Sequence, residues 1–136
     1  MSDPASFPYD TRLNVLHGPL ELIDVAELAR AATHPWYNQT LTRVNDAVVR
    51  VGVIQGEYHW HHHDVEDEFF YVVSGRLFID LDAGHPGGRA ARAPRTVELA
   101  PMQGFMVPHG VRHRTRAPGQ TVILMVEPAG IIPTGD

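Results

Sequence analysis

Histidine and carboxylate side chains carry most of the chemistry open to this chain. Its 136 residues include nine histidines but no cysteine, and all eleven lysine-plus-arginine positions are arginine. Without cysteine there is no disulfide, no thiolate nucleophile and no cysteine-ligated metal. Without lysine there is no Schiff base and no P-loop lysine. A metal ion held by imidazole and carboxylate is therefore the first chemistry to consider.

The densest group of histidines is the run His59-Trp60-His61-His62-His63. A purification tag would lie at a terminus and would not contain tryptophan. The run could be a solvated polar turn or a metal site. On a strand, His61 and His63 point to the same side, roughly 6.5–7 Å apart, which lets them share one ion, and His59 lies on that face as well.

Glu68 and His113 favour the metal interpretation. Glu68 heads a predicted strand whose same-face residues Phe70 and Val72 are apolar, so its carboxylate is costly there unless something pairs with it. His113 alternates with arginines at 112, 114 and 116, which must face water, so His113 faces the interior. It is there either as a hydrogen-bonded core histidine or as a further ligand.

Short strands must position these residues. From Thr40 onward, apolar and polar residues alternate, and turn pairs such as Asn45-Asp46 and Ser74-Gly75 separate the runs. This pattern is typical of an antiparallel sandwich or barrel. Residues 83–95, rich in Gly, Pro, Ala and Arg, are predicted to form an exposed loop. The predicted strands are 40–44, 47–55, 58–63, 68–73, 76–81, 96–99, 105–107, 111–116 and 121–127.

The first twenty-odd residues read as a loose arm, followed by one short helix. Asp24 lies three residues before Glu27, which is typical of a helix start with a capping box. Val25, Leu28 and Ala32 would form its apolar face, ending before His34-Pro35. We see no chemistry on this helix.

The bulk composition excludes several classes of protein. The net charge of −5 argues against a nucleic-acid binder or a protein that binds anionic membranes. No apolar run approaches the roughly 20 residues that span a bilayer, and no signal peptide is visible. We therefore expect a cytoplasmic protein with no nucleic-acid or membrane partner.

The stretch from Gly56 to Gly75 resembles the first motif of the cupin superfamily. That motif has a glycine, an H-x-H pair, a glutamate after a short gap and, after six further residues, a closing glycine. In this sequence the pair is His61 and His63, the acid is Glu68 and the closing glycine is Gly75. The spacing to Glu68 and Gly75 favours this pair over its rival, His59 with His61.

A second stretch is similar to the other cupin motif, a glycine followed by P-x-G-x-x-H. Gly104, Pro108, Gly110 and His113 match it. Gly56 and Gly104 are spaced slightly differently from the common pattern, and Ala117 replaces an asparagine sometimes found there. These departures affect loop lengths rather than the ligand set. His109 fills an unassigned motif position, and we expect it to be exposed. The ending from Val126 to Gly130 resembles small single-domain cupins described as mannose-6-phosphate-isomerase-like.

The resemblance implies an all-β fold, an antiparallel jelly-roll β-barrel, to which the residues above add a short N-terminal helix. It also implies a divalent transition metal (Fe, Mn, Zn or Ni) on His61, His63, Glu68 and His113, a small-molecule ligand and a homodimer. We expect residues 1–136 to form one domain, with an arm and helix at 1–39, the barrel at 40–128 and a tail at 129–136.

The function expected from this resemblance is a metal-dependent enzyme acting on a small organic molecule. Dioxygenase-, isomerase- and lyase-type reactions are all compatible with three histidines and one glutamate, and a non-catalytic binding or sensor protein is the alternative. We expect the wall beside Glu68 to be apolar, because Phe70 and Val72 continue its face. Strand alternation places Tyr58 and Tyr71 on the opposite side from the ligands.

Overall fold

The structure, a computed structural model, describes residues 7–82 and 95–136. Most of these residues lie in one sheet, and its long last strand pairs with three other strands. The elements, in chain order, are β1 (Asp10–Arg12), α1 (Val25–Ala31), β2 (Trp36–Val44), β3 (Ala47–Glu57), β4 (Glu68–Ser74), β5 (Leu77–Leu81), β6 (Arg95–Leu99), β7 (Gly104–Val107) and β8 (His113–Pro128).

Helix α1 begins where the capping residues predict. The Asp24 side chain accepts a hydrogen bond from the Glu27 backbone N–H at 3.1 Å, which satisfies one of the free donors of the first turn. Leu28 packs against a small core cluster that includes Leu41 and Val51. The helix therefore covers the outside of the β2–β3 hairpin and contributes nothing to the site. No helix in the described ranges is long and apolar enough to cross a membrane.

The β2–β3 hairpin is confirmed, and its first strand is longer than predicted. Val44 pairs with Ala47 across the two-residue turn, where Asn45 has a φ of 52°. The strand starts at Trp36 rather than at residue 40. The Trp36 N–H donates to His34 Nδ1, and the indole is buried, so the chain is already fixed in an extended form there.

Strand β1 was not expected, because the first residues read as a loose arm. It pairs in parallel with β2, with Asp10 opposite Tyr37. Three residues are too few for a two-residue alternation to be recognised. Tyr9, just before β1, packs against the main core cluster, and that packing holds this part of the arm on the barrel.

Strand β8 joins the two halves of the fold. Its first residues pair with β5, its later residues pair with β4, and β3 pairs along most of its length. The prediction of two separate strands is wrong, because residues 117–120 stay in the strand between these two pairings. The sheet does not close completely over the described residues, and the jelly-roll arrangement with one short helix is confirmed.

The turn between β4 and β5 requires glycine. Gly75 has a φ of 90°, and a Cβ there would lie 2.4 Å from Thr121 Oγ1. The predicted Ser74-Gly75 turn is therefore fixed both by backbone conformation and by contact with β8. The predicted loop at 83–95 lies outside the described residues except for Arg95, which begins β6 instead.

Candidate metal centre

The fold brings His61, His63, Glu68 and His113 together inside the barrel. His61 and His63 follow β3, Glu68 opens β4, and His113 opens β8. The backbones of His61 and His113 bond to each other in both directions, which fixes two of the four residues side by side. All four side chains are buried, and His113 is only 1% exposed.

The donor atoms of these four residues converge. One nitrogen or oxygen from each lies within 4.8 Å of the others. Glu68 Oε1 lies 3.4 Å from both His63 Nε2 and His113 Nε2, which is too long for a charge-assisted hydrogen bond. An ion about 2.1 Å from each of two ligands separates them by roughly 3.0–3.4 Å, so the spacing suits atoms that share an ion.

Backbone carbonyls orient two of the imidazoles. His61 Nδ1 donates to the His59 carbonyl at 3.0 Å, and His113 Nδ1 donates to the Val111 carbonyl at 2.9 Å. With Nδ1 protonated, the lone pair lies on Nε2 and faces the cluster. His113 Nε2, both His63 ring nitrogens and Glu68 Oε1 are buried and have no hydrogen-bond partner among the described residues.

The surroundings favour the protonation states that a metal needs. Burial, helped by the neighbouring His113, lowers the pKa of His61 to about 3, so its imidazole is neutral. Burial would raise the pKa of the Glu68 carboxyl, but the imidazoles of His113 and His63 outweigh it and lower that pKa. Neutral imidazole at His61 and ionised carboxylate at Glu68 are the metal-binding forms, so these two groups fit a divalent transition metal.

The other histidines of this region lie outside the cluster. His59 Nε2 donates to the Thr134 carbonyl at 2.7 Å, and its ring stacks on Tyr9 and Tyr58. His62 is partly exposed and contacts Asp64. The structure thus brings together His61 with His63, not the rival pair. His109 is exposed, as expected, and its Nδ1 lies 2.8 Å from Asp67 Oδ1.

A small cavity of about 30 Å³ lies beside the cluster, with His61 and Glu68 in its wall. Phe70 contributes an apolar wall, as predicted, and Ile54, Ile123 and Met125 make the lining largely apolar. Asn38, Arg50 and Thr115 also line the cavity. Sequence reasoning missed them, although a lone arginine in the apolar run 47–54 was a usable signal.

Tyr58 also lines the cavity, contrary to the prediction from strand alternation. Strand β3 ends at Glu57, after Gly56 has turned to a φ of 105°, so the alternation does not continue to Tyr58. Burial raises the pKa of the Tyr58 phenol well above its ordinary value. Its hydroxyl donates to the Pro133 carbonyl at 3.2 Å. Tyr71, as predicted, is not part of the cavity wall.

A second buried carboxyl, Glu127, neighbours the site. It faces the interior near the end of β8 and is 2% exposed. Burial, and then the charge of Glu68, raises the pKa of Glu127 well above its ordinary value. The pKa values of the two glutamates are thus shifted in opposite directions, down for Glu68 and up for Glu127.

The C-terminal segment 131–135 covers segment 59–63, which was predicted as part of a strand but forms only one isolated bridge, at His61. Pro133 lines the cavity, Thr134 accepts from His59, and a Cβ on Gly135 would lie only 2.6 Å from His61 Cβ. Gly135 has a φ of 97°, which favours glycine for a second reason. Sequence reasoning treated this segment only as a tail, because it carries no periodic pattern.

Comparison with known proteins identifies the family. The profile of the family described as "Cupin domain" matches residues 47–127, more than half of the chain. The uncharacterized protein YdbB of Bacillus subtilis (strain 168) is 39% identical over 90 residues, 66% of this chain and 71% of YdbB. "Polyketide synthase CurC" of Streptomyces cyaneus is 39% identical over 66 residues, 48% of this chain and 36% of that protein.

Solved structures show the same fold. A cupin-2 domain protein from Shewanella frigidimarina NCIMB 400 aligns with a TM-score of 0.67 and 23% identity, covering 79% of this chain and 94% of that one. Hydroquinone 1,2-dioxygenase from Sphingomonas sp. TTNP3, with 4-hydroxybenzoate bound, aligns with a TM-score of 0.69 and 16% identity, covering 82% of this chain and 33% of that one. With the jelly-roll fold and the matching profile, the chain is a member of the cupin family.

Proposed function

We propose that this cupin is a metal-dependent enzyme acting on a small organic molecule. His61, His63, Glu68 and His113 would hold one divalent transition metal, such as Fe, Mn, Zn or Ni. The observation that carries the proposal is the set of buried donor atoms that have no hydrogen-bond partner among residues 7–82 and 95–136. Leaving several polar atoms unpaired in a core is costly, and a shared cation would remove that cost.

A bound ion would supply Lewis-acid or, if redox-active, electron-transfer chemistry to an oxygen-bearing substrate. The protein groups supply position and surroundings. The carbonyls of His59 and Val111 fix two imidazole rings, as described above. Phe70 and Met125 keep one side of the cavity dry, and Tyr58 stays protonated as a neutral donor. Dioxygenase-, isomerase- and lyase-type reactions all remain within this proposal, and one protein of similar fold is a dioxygenase.

Turnover by the metal-loaded protein tests the proposal. The iron-, manganese- and nickel-loaded forms are screened against small hydroxylated, carbonyl and enol compounds, with and without dioxygen. We expect turnover with at least one metal, lost in His61→Ala and kept in His109→Ala, which changes an exposed histidine. Binding of a compound without turnover by any loaded form would instead assign the chain to the alternative, a non-catalytic binding or sensor cupin.

An apolar patch on the outer sheet face supports the proposal of a homodimer. Phe69 on β4 is exposed, and its cross-strand neighbours are Met106 on β7 and Val126 on β8, both also exposed. Contiguous exposed apolar side chains on a sheet face are typical of an interface.

The mass in solution tests this contact. Light scattering should give about twice the 15.1 kDa chain mass for the wild type. Phe69→Glu should give the monomer, and Val44→Glu, on an exposed residue elsewhere, should leave the dimer intact. A monomeric wild type would contradict the proposal.

A further inference from the structure

Arg50 places a buried cation in the same cavity as the candidate ligands. It lies on β3 at an inward position, is 2% exposed and lines the cavity together with His61 and Glu68. A charged guanidinium in a protein interior is costly unless it has compensating partners. The partners of Arg50 therefore indicate whether its side chain only packs in the core or is available to bind a ligand.

The partners of Arg50 are neutral. Its Nε donates to Thr40 Oγ1 at 3.1 Å, and its Nη2 donates to Asn38 Oδ1. Among residues 7–82 and 95–136, no carboxylate oxygen lies within 4 Å of this guanidinium, and its Nη1 makes no hydrogen bond. The exposed arginines differ, since Arg76 and Arg112 each have a carboxylate partner. Arg50 is thus positioned by amide and hydroxyl oxygens, without a carboxylate partner within 4 Å among the described residues.

The charge of the cavity is positive once the proposed ion is present. Arg50 contributes +1, a divalent ion +2 and Glu68 −1, which sum to +2. Glu127 acts on Arg50 through the low-dielectric interior, and even a fully ionised Glu127 would leave +1. A buried volume with a net positive charge favours an anionic occupant over a neutral one of the same shape.

We propose that the substrate is a small organic carboxylate whose oxyanion is held by Arg50, beside the four candidate metal ligands. This inference rests on the proposed function, since it needs the ion as the second positive charge. The cavity volume of about 30 Å³ is room for roughly two water molecules, so the bound group is about the size of a carboxylate. Planar guanidinium and carboxylate groups match in geometry, which gives Arg50 a donor pattern that neutral amides do not satisfy.

The test uses acetate and its neutral counterpart acetamide as probes. Metal content is first measured for the Mn²⁺-loaded wild type and each variant. The affinity for ¹³C-labelled acetate and acetamide is then read from NMR line broadening by the bound Mn²⁺, at constant ionic strength. We expect the wild type to bind acetate at least about tenfold more tightly than acetamide.

Two variants separate Arg50 from the metal as the source of this preference. Asn38→Asp is nearly isosteric and gives the guanidinium a permanent carboxylate partner, so folding should be retained while acetate affinity falls by about tenfold or more. Arg50→Met removes the cation and should have the same effect. Arg76→Met, which changes an exposed arginine, should bind acetate as the wild type does.

The outcomes distinguish the two proposals. Wild-type acetate affinity in metal-loaded Asn38→Asp and Arg50→Met would show that the ion alone holds the anion and would overturn the role of Arg50. A wild type that takes up no stoichiometric Mn²⁺, Fe²⁺, Zn²⁺ or Ni²⁺ would overturn the proposed function, and this inference with it. Stoichiometric metal with equal binding of acetate and acetamide would overturn the carboxylate inference alone.

Discussion

The inner and outer faces of the strand around His113 use polar residues in opposite ways. On the inner face, His113 and the donors near it are buried, and several have no hydrogen-bond partner in the part of the chain that the structure describes. On the outer face, every arginine has an acidic partner: Arg112 contacts Asp82, while Arg114 and Arg116 both contact Asp80 at 2.8 Å.

The outer face is a compact charge network. The guanidinium groups of Arg112 and Arg114 also lie over the Trp60 ring, at 5.1 and 5.2 Å from its centroid. Burial would raise the pKa of Asp80, but hydrogen bonds from Arg116, Thr96 and Arg114 lower it to about 2. Polar groups that satisfy one another stabilise the fold, whereas buried polar groups left unpaired are available to bind something else.

The largest expected difference between the faces is the response of stability to metal. At a Mn²⁺ concentration of about 1,000 times Kd, the wild type should gain about 4 kcal/mol in free energy of unfolding, because only the folded chain assembles the four donors. His113→Ala should lose this gain. Arg114→Ala, on the outer face, should keep it even if its metal-free stability is lower. Urea unfolding with Mn²⁺ or EDTA measures the gain, and a full gain in His113→Ala would show that the ion binds elsewhere.

A smaller change in stability is expected when a donor on the inner face is replaced by an apolar residue, and here the substitution stabilises the metal-free protein. Both ring nitrogens of His63 are buried without a hydrogen-bond partner among the described residues. His63→Leu should therefore raise the free energy of unfolding of the metal-free protein by about 1 kcal/mol while impairing metal binding. Urea unfolding in EDTA checks this, and a clear loss of stability would show that His63 has a structural role.

The placement of a side chain on these two faces could be predicted only where the sequence signal for it is local. The alternation from Val111 to Arg116 is visible in the sequence, because two-residue periodicity fixes which side chains share a face. Arg50 was missed because its neighbours come from β2, so only the register between the strands shows that its partners are Asn38 and Thr40. Tyr58 was misplaced because nothing local marked the end of β3 at Glu57.

The cluster of four candidate metal ligands could also be predicted only in part from the sequence. The H-x-H pair, Glu68 and His113 were selected by spacing, yet their convergence depends on β8 pairing with several strands at once. Segment 131–135 contributes Pro133 to the cavity without any periodic pattern. Contacts between residues far apart in sequence, and not local preference, complete the site.

The smallest expected effect comes from the outer carboxylate. Asp80→Asn should lower the free energy of unfolding by about 1 kcal/mol at neutral pH, an amount limited by the partial exposure of its arginine partners. Because the pKa of Asp80 is lowered in the folded protein, its stabilisation is complete above pH of about 4 and is lost as the pH falls toward about 2. The variant should thus lose less stability than the wild type over that interval, and parallel losses would contradict this role.

The most direct measurement compares one carboxylate from each face. Wild type, Glu68→Gln and Asp80→Asn are purified under mild conditions, dialysed against metal-free buffer and analysed for transition metals per chain. We expect about one ion in the wild type and in Asp80→Asn, and less than about a tenth of an ion in Glu68→Gln. Equal metal content in all three proteins, or none in the wild type, would contradict a metal centre at His61, His63, Glu68 and His113.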